Sequence, residues 1–282
     1  MWDKVAARWW HSIDADFQSP MCRWSRQNFG DEPLNRVLLS KLFPNLNQEA
    51  NHPKYILLGI GSILGMRSSC MRPNETNLPL LVYGSGYQYG EPSLLPEDSK
   101  VFCVRGNYTC ETFGFDKSCA VADPAILLPK FFPRDVQSIA GRTARIYRWS
   151  HGLNSKEMGE SLNLTTLRLK FWDTCRSISD TRFSDIFTAR TEGDFAGWLR
   201  RLWSCERIET ESLHAAIVAD AYGIPWRPLM RRWHRKWNDH FSMLGIEEKP
   251  RTFTLSNRKK MDEKAEILMQ RREDLIHHVE NL

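Results

Sequence analysis

Residues 210–226 have the sequence Thr-Glu-Ser-Leu-His-Ala-Ala-Ile-Val-Ala-Asp-Ala-Tyr-Gly-Ile-Pro-Trp and predict a helix with both ends marked. Thr210 or Ser212 can cap its start, because a side-chain oxygen there accepts a hydrogen bond from the first-turn N–H groups. Apolar residues recur at helical spacing, and the Gly-x-Pro that follows predicts the stop. His214 lies in the first turn, where the helix dipole and unpaired N–H groups favour an anion. The histidine is therefore either an anion-binding or acid–base residue, or a packed core residue.

Length and composition predict an ordinary globular protein with two domains. The chain has 282 residues, of which 41% are apolar and 26% charged, and it contains no repeat at a fixed period. The net charge of +5 is too diffuse to indicate nucleic acid. Basic residues do cluster within 227–237. That segment fits a phosphate, a membrane surface, an acidic glycan or simply a solvated helical face.

The cysteines and the N-terminus predict a cytoplasmic protein without a metal site. Seven cysteines are scattered without a C-x-x-C pair, so they suggest small buried residues, not a disulfide framework or a zinc site. The first ten residues lack the apolar core of a signal peptide, and no stretch approaches the roughly 18 apolar residues of a membrane span.

Short apolar runs that end in glycine turns recur in the first half of the chain. Runs at 54–58, 80–83 and 101–104 alternate with helical patterns at 34–42 and 107–113. This alternation predicts an α/β protein with a parallel sheet. Ligands of such sheets lie beyond the carboxyl ends of the strands, where Ser62, Ser85 and Arg105 are expected. Arg105 can grip a carboxylate or phosphate with two hydrogen bonds, or it is a surface arginine paired with the helix that follows.

The second half repeats the alternation less regularly. We expect a strand at 144–147, a helix at 194–203, an unusually polar strand at 205–209 and a C-terminal amphipathic helix at 262–282. Residues 120–129, with two prolines, fit a strand edge and a crossing between domains. The predicted units are an N-terminal domain over 1–135, a C-terminal domain over 136–245, and a charged linker with a helix over 246–282.

In this order the motifs resemble those of the polysaccharide pyruvyl transferases, which add pyruvate ketals to bacterial exopolysaccharides and related glycans. The similar residues run from 28 to about 240. Each motif alone is a weak indication of the family, but several of them in the same order and spacing are specific. They are Asn28-Phe-Gly-Asp31 with Leu34-Asn35, Gly59-x-Gly61-Ser62, Tyr83-Gly-Ser-Gly86, Val104-Arg105-Gly106 with Thr109, Asp123-Pro-Ala125 with Leu128-Pro129, Glu211-Ser-Leu-His214 with Ala219-Asp220 and Gly223-x-Pro225-Trp226, and Lys236-Trp237-x-Asp239.

The resemblance implies two Rossmann-like domains similar to those of GT-B glycosyltransferases, with the active site in the interdomain cleft. The C-terminal helix is expected to dock back on the first domain. Arg105, His214 and Lys236 match basic residues that handle the donor, phosphoenolpyruvate. His151 is similar to a second family histidine, but it follows Trp149-Ser150 where the family usually has a proline.

The chemistry implied by the resemblance assigns roles to these residues. Ketal formation needs a general acid and a base, for which histidine is suited, so His214 is the acid or the phosphate ligand. His151 takes the other of these roles or serves as the base. Glu211 and Ser212 form one wall of the donor site with His214, and Asp31 contacts the acceptor. This account needs no cofactor and no metal.

Two other functions stay open at this point. The chain could be a GT-B glycosyltransferase that uses a sugar nucleotide, or a non-catalytic glycan-binding subunit of a polysaccharide assembly complex. The expected partners are phosphoenolpyruvate and a glycan acceptor, free or lipid-linked, with no nucleic acid. A basic segment and a lipid-linked acceptor would both suit peripheral contact with the inner face of the membrane.

Overall fold

The computed structural model shows an α/β protein with two four-stranded parallel sheets. It describes residues 2–8, 27–28, 33–46, 50, 52–65, 71, 73–88, 90–147, 180–184, 186–187, 192–229 and 233–282. The helices are α1 Pro33–Leu42, α2 Asn107–Phe113, α3 Leu128–Phe131, α4 Glu192–Trp203, α5 Leu213–Ala221, α6 Arg235–Phe241 and α7 Arg258–Glu280. The strands are β1 Val5–Arg8, β2 Gln27–Asn28, β3 Tyr55–Leu58, β4 Leu80–Tyr83, β5 Lys100–Cys103, β6 Ile139–Tyr147, β7 Asp180–Ser184, β8 Ile186–Phe187, β9 Cys205–Thr210 and β10 Trp226–Pro228.

The first sheet has the strand order β1-β3-β4-β5. All of β4 and the last three residues of β3 are buried. Their sequences are continuous apolar runs because a parallel strand is covered on both faces. The strands predicted at 54–58, 80–83 and 101–104 are therefore confirmed, and the α/β class with them.

The second sheet has the order β10-β9-β6-β7. One face carries apolar side chains, among them Ile146, Ile208 and Trp226, which are fully buried. The other face carries a row of charges, because Arg145 and Arg227 are the register partners of Glu209 on the two neighbouring strands. Glu209 accepts from Arg145 Nε over 2.6 Å and from Arg227 Nε over 2.7 Å. This row accounts for the polar sequence of β9.

The helix predicted within residues 210–226, from the cap to the stop at Gly223, is confirmed as α5. Ser212 is its N-cap and accepts from Ala215 N over 3.4 Å. All nine residues of α5 are buried. Gly223 follows with φ of +69°, the left-handed backbone that ends a helix at little cost for glycine. The burial explains why the helix is apolar on every side.

The C-terminal helix α7 lies against the first sheet. Tyr83 Oη on β4 donates to Leu268 O over 2.8 Å, and Arg272 Nε donates to Leu42 O over 2.6 Å. One apolar core runs from the first sheet through α5 and the second sheet to α7. None of the described helices has the length and apolar character required to cross a bilayer.

Residues 120–129 follow their prediction only at the start. Ala120 forms an isolated parallel bridge with Val104 at the edge of the first sheet, as expected for a strand edge, but Pro124–Leu127 form a 3-10 helix that continues into α3. Asp123 caps the 3-10 helix by accepting from Ala125 N over 3.0 Å, and the proline at the first helical position suits that start. This segment packs against α5, and it thereby brings an acidic residue to the histidine of that helix.

Candidate active site

Three of the predicted site residues meet at the carboxyl edge of the first sheet. The loops after β3 and β4 are joined by a hydrogen bond from Gly86 N to Gly61 O at 2.8 Å. Arg105 N donates to Ser85 O over 3.1 Å, and Arg105 Nη1 donates to Ser62 Oγ over 2.7 Å. Ser85 is fully buried and Ser62 half-buried. The structure thus brings together the polar residues that follow the strand ends.

The guanidinium of Arg105 is enclosed by protein groups, with 0% of the residue exposed. Its Nε donates to Asp239 Oδ2 over 3.2 Å, and its Nη2 donates to Tyr87 O over 3.3 Å. Gly86 permits this packing, since a Cβ there would lie 2.3 Å from Arg105 Cζ. The alternative of a surface arginine paired with the next helix is wrong, because its counter-charge is 134 residues away in sequence. Direct contact between Arg105 and a donor stays a prediction.

Asp239 on α6 joins this helix to the first half of the chain. Its carboxylate accepts from Thr109 N over 3.0 Å and from Thr109 Oγ1 over 2.6 Å, in addition to Arg105 Nε. Backbones also approach closely here: a Cβ at Gly106 would lie 1.5 Å from Asp239 O. We refer to Arg105, Thr109 and Asp239 as the clasp. The clasp fixes the position of α6, which carries Lys236.

A carboxylate and an imidazole face each other between the 3-10 helix and α5. Asp123 Oδ2 lies 3.4 Å from His214 Nε2, with Asp123 fully buried and His214 7% exposed. The distance is long for a hydrogen bond, yet neither atom has a shorter one among the described residues. Burial raises the pKa of Asp123, but the opposing effects of His214 and of the Arg105 charge outweigh burial and hold this pKa below its usual value of 3.8. Asp123 is therefore an anion at neutral pH beside His214.

His240 is a second histidine beside the same aspartate. Its Nδ1 accepts from Asp123 N over 3.2 Å, so this nitrogen carries no proton. Burial lowers the pKa of His240 to about 3, against a smaller opposing effect of Asp123. A neutral imidazole thus accepts the backbone N–H of Asp123, while the Asp123 side chain faces His214.

The start of α5 holds the predicted wall residues Glu211 and Ser212. Thr210 Oγ1 accepts from Ser212 N over 2.9 Å, and Glu211 N donates to Ile146 O over 3.0 Å. These bonds link the carboxyl ends of β6 and β9 to the helix. Ser212 is buried and Glu211 half-buried. His214 is consequently held on a rigid turn, and its place in the buried interior agrees with the core interpretation as well as with the functional one.

The remaining predicted residues fall at or beyond the edges of this arrangement. Lys236 is half-buried at the start of α6, and its backbone N–H donates to Gln88 Oε1 over 3.3 Å. His151 and Asp31 lie outside the residues that the structure describes. No group of three or more His, Cys, Asp or Glu side chains is placed to hold a metal within the described ranges.

Sequence reasoning gave no site role to Asp123, Asp239 or His240. A signal existed for Asp123, which interrupts the otherwise apolar sequence Ala-Val-Ala-Asp-Pro-Ala-Ile-Leu-Leu-Pro. A buried carboxylate must be paired, so its presence there predicts a partner. His240 offers no comparable signal.

Comparisons with known proteins place this arrangement in a family. Residues 72–231, more than half of the chain, match the model for the polysaccharide pyruvyl transferase family. The chain is also 27% identical over 245 residues to the succinoglycan biosynthesis protein ExoV of Rhizobium meliloti (strain 1021), covering 83% of this chain and 68% of that protein. No solved structure matches. The prediction of a pyruvyltransferase enzyme is confirmed, and a non-catalytic binding subunit is not supported. This chain belongs to the polysaccharide pyruvyl transferase family.

Proposed function

We propose that this enzyme transfers pyruvate from phosphoenolpyruvate to two hydroxyl groups of one sugar, forming a pyruvate ketal and releasing phosphate. The acceptor is an exopolysaccharide or a cell-surface glycan precursor, in line with the family and with the named role of the relative in succinoglycan biosynthesis. The observation that carries the proposal is the Asp123–His214 pair in the first turn of α5.

The pair has the composition that the first chemical step needs. In that step a proton adds to the methylene carbon of the donor, and C2 becomes an oxocarbenium-like centre. Histidine suits this transfer because its pKa range is near neutral. An imidazole that gives its Nε2–H to Asp123 keeps Nδ1 as the exchanging nitrogen, and the carboxylate stabilises the imidazolium form.

The following steps balance the reaction. One sugar hydroxyl attacks C2 and gives up its proton to a base, for which His151 is our candidate. The C2–O bond to phosphate then breaks, and phosphate leaves. The second hydroxyl attacks C2, loses its proton and closes the ketal ring. Two protons leave the hydroxyls, one proton enters the methyl group and the other leaves with phosphate.

Phosphoenolpyruvate carries close to three negative charges, so its site needs cations and free N–H groups. Lys236 and the N-terminal turn of α5 supply these in our proposal, with Glu211 and Ser212 shaping the wall. The buried guanidinium of Arg105 contributes its charge from behind Ser62 and holds α6 through Asp239. In this proposal Arg105 is a positioning residue. It acts on the donor site by holding Ser62 and, through Asp239, helix α6.

The proposed architecture follows the same resemblance. Two Rossmann-like domains of GT-B type, over 1–135 and 136–245, would enclose the donor in their cleft. Residues 246–282 would complete the first domain from outside. Asp31 would meet the glycan on the acceptor side, and the reaction would take place in the cytoplasm or at the inner face of the membrane, where a lipid-linked acceptor is within reach.

Substitution of His214 tests the proposal. We expect His214→Ala and the more conservative His214→Gln to lower kcat for phosphate release by at least about 100-fold, the smallest usual contribution of a general acid. The assay contains purified protein, phosphoenolpyruvate and the cell's own lipid-linked glycan repeat unit. Mass spectrometry of the glycan detects the ketal.

His52→Ala is the matched control, because His52 is exposed on the loop before β3. Thermal unfolding of each variant shows that it is folded. Wild-type turnover in both His214 variants would remove this residue from the mechanism. Absence of phosphate release by the wild type, with binding of a sugar nucleotide instead, would favour the glycosyltransferase alternative.

A further inference from the structure

A basic cavity opens at the carboxyl end of β10, apart from the Asp123–His214 pair. It has a volume of about 530 Å³ and is lined by Arg227, Pro228, Leu229, Glu248, Lys249, Pro250 and Arg251. Ligand sites of small organic molecules span about 300–1,000 Å³. The volume therefore suits a group considerably larger than one phosphate ion. We refer to it as the β10 cavity.

Charge in the lining favours an anion. Three of the seven residues are cations, Arg227, Lys249 and Arg251, against the single carboxylate of Glu248. Lys249 is half-buried and Arg251 exposed. The two prolines in the lining, Pro228 and Pro250, have fixed φ and stiffen the wall beside these cations.

Arg227 is held in place before any ligand arrives. Its Nε donates to Glu209 Oε1 over 2.7 Å, and its guanidinium carbon lies 4.9 Å from the centre of the Phe253 ring. The side chain is still 41% exposed, and Nη1 takes no part in the pair with Glu209. A guanidinium fixed in this way loses little entropy when it binds an oxyanion.

The cavity shares an edge of the second sheet with the start of α5. Leu229 N donates to Thr210 O over 2.8 Å, and the same Thr210 accepts from Ser212, the N-cap of α5. In open parallel sheets ligands bind beyond the carboxyl ends of the strands. A substrate that reaches His214 could therefore extend into the cavity along this edge.

We propose that the β10 cavity binds the diphosphate group of an organic substrate, with Arg227, Lys249 and Arg251 as its ligands. Three cations in a space of this size match two adjacent phosphates and leave room for the attached organic group. The diphosphate belongs to the acceptor, an assignment that rests on the proposed function. Prenyl diphosphates and nucleoside diphosphates share this chemistry, and the experiment separates them.

Calorimetric titration of the full chain with inorganic pyrophosphate tests the cavity directly. We expect binding that weakens as salt is added and a loss of affinity of at least about tenfold in Lys249→Gln/Arg251→Gln, because this variant lacks two of the three cationic ligands. Farnesyl diphosphate and UDP are the further ligands. Tighter binding of farnesyl diphosphate than of UDP identifies a prenyl carrier, and the reverse identifies a nucleotide.

The control variant, Lys117→Gln/Lys259→Gln, removes two exposed lysines outside the cavity. Its net charge equals that of the cavity variant Lys249→Gln/Arg251→Gln. Pyrophosphate affinity should be unchanged in this control variant. Absence of binding by the wild type, or equal affinity in the cavity variant, would overturn the assignment. If the wild type transfers pyruvate but gives either of these two results, the diphosphate assignment of the β10 cavity is refuted and the proposed function stands. If the wild type binds pyrophosphate but does not transfer pyruvate, the proposed function is refuted and the cavity stands as a diphosphate site.

Discussion

Asp123 matters to the site because it is both buried and charged. A carboxylate out of water is costly unless it is paired, and Asp123 meets this cost with His214 on one side and the cap of the 3-10 helix on the other. Its backbone N–H is occupied by His240. The side chain therefore has little freedom, and its Oδ2 stays 3.4 Å from Nε2 of His214.

Asp123→Asn should lower kcat about 10²- to 10⁴-fold, the usual range for acid–base catalysis. The amide cannot stabilise an imidazolium, and its NH₂ group can present a proton to Nε2 and force the other tautomer. The amide oxygen can still cap Ala125 N, so the fold should persist. Steady-state kinetics with phosphoenolpyruvate measure kcat and KM, and we expect KM to change much less than kcat.

Asp262→Asn provides the comparison for Asp123→Asn, because Asp262 is exposed on α7, where it forms a surface pair with Arg258. Equal losses of kcat in both variants would contradict a specific role of Asp123. Circular dichroism checks that Asp123→Asn is folded, and an unfolded variant would contradict the expectation that the fold persists.

Single residues were predictable where local chemistry determines them. Ser212 as a cap and Gly223 as a stop follow from backbone groups within a few positions, and both are confirmed. The surroundings of Arg105 were not predictable. Its partner Asp239 is far away in sequence, and no local pattern distinguishes an arginine that meets a ligand from one enclosed by protein.

Helix α6 depends on the clasp for its position, since it has only seven residues. Isolated helices of that length are marginal in water. Asp239→Asn removes the charge paired with Arg105 inside the protein, and breaking a buried ion pair from one side costs about 3–5 kcal/mol. We expect that loss in the free energy of unfolding, measured by urea denaturation.

Arg235→Gln is the matched substitution for Asp239→Asn. It removes the exposed contact between Arg235 and Tyr108, which joins the same two helices, α2 and α6. Exposed contacts of this type contribute little, so its stability should stay near the wild-type value. A small effect of Asp239→Asn, no larger than that of Arg235→Gln, would show that the clasp does not hold the helix.

Elements with a continuous pattern were the predictable ones. Strands β3 and β4 are uniform apolar runs bounded by glycine, and α2 ends at Gly114, whose φ is +69°. The short strands β1 and β10, of four and three residues, were missed. Their positions are set by pairing with β3 and β9, and a partner in another part of the chain leaves no periodicity in a segment of this length.

The free energy of unfolding of the whole protein should depend on pH in acid because of His240. Its pKa falls from 6.5 in the unfolded chain to about 3 in the fold, so the folded state binds fewer protons in this range. The free energy of unfolding is then highest above pH 6.5 and decreases as the pH falls toward about 3. One group contributes at most about 1.4 kcal/mol per pH unit.

Urea denaturation between pH 7.5 and 4.5 measures this slope. His240→Gln, which cannot take up the proton, should show a shallower slope by about one proton. His278→Gln is the comparison, because burial and Lys100 lower the pKa of His278 as well but this side chain is less buried. An unchanged slope in His240→Gln would contradict the assignment.

The α/β fold class of the whole chain could be predicted from the alternation of strands and helices. The way in which the two sheets and the C-terminal helix pack together could not. Alternation predicts parallel sheets through short connections. It contains no information on contacts between segments more than 100 residues apart, such as the bond from Tyr83 to the backbone of Leu268. The docking of the C-terminal helix was accordingly an expectation from the resemblance and not from periodicity.

The clasp also bears on how the gene for such an enzyme could be divided. A recombinant fragment ending near residue 135 would retain Arg105 and Thr109 and lose Asp239, together with α7, which covers part of the first sheet. The guanidinium would then be enclosed without its anion, and apolar strand surface would be open to solvent. Truncation or module exchange at that boundary would therefore fail unless residues 235–280 were supplied in the same cell as a second polypeptide.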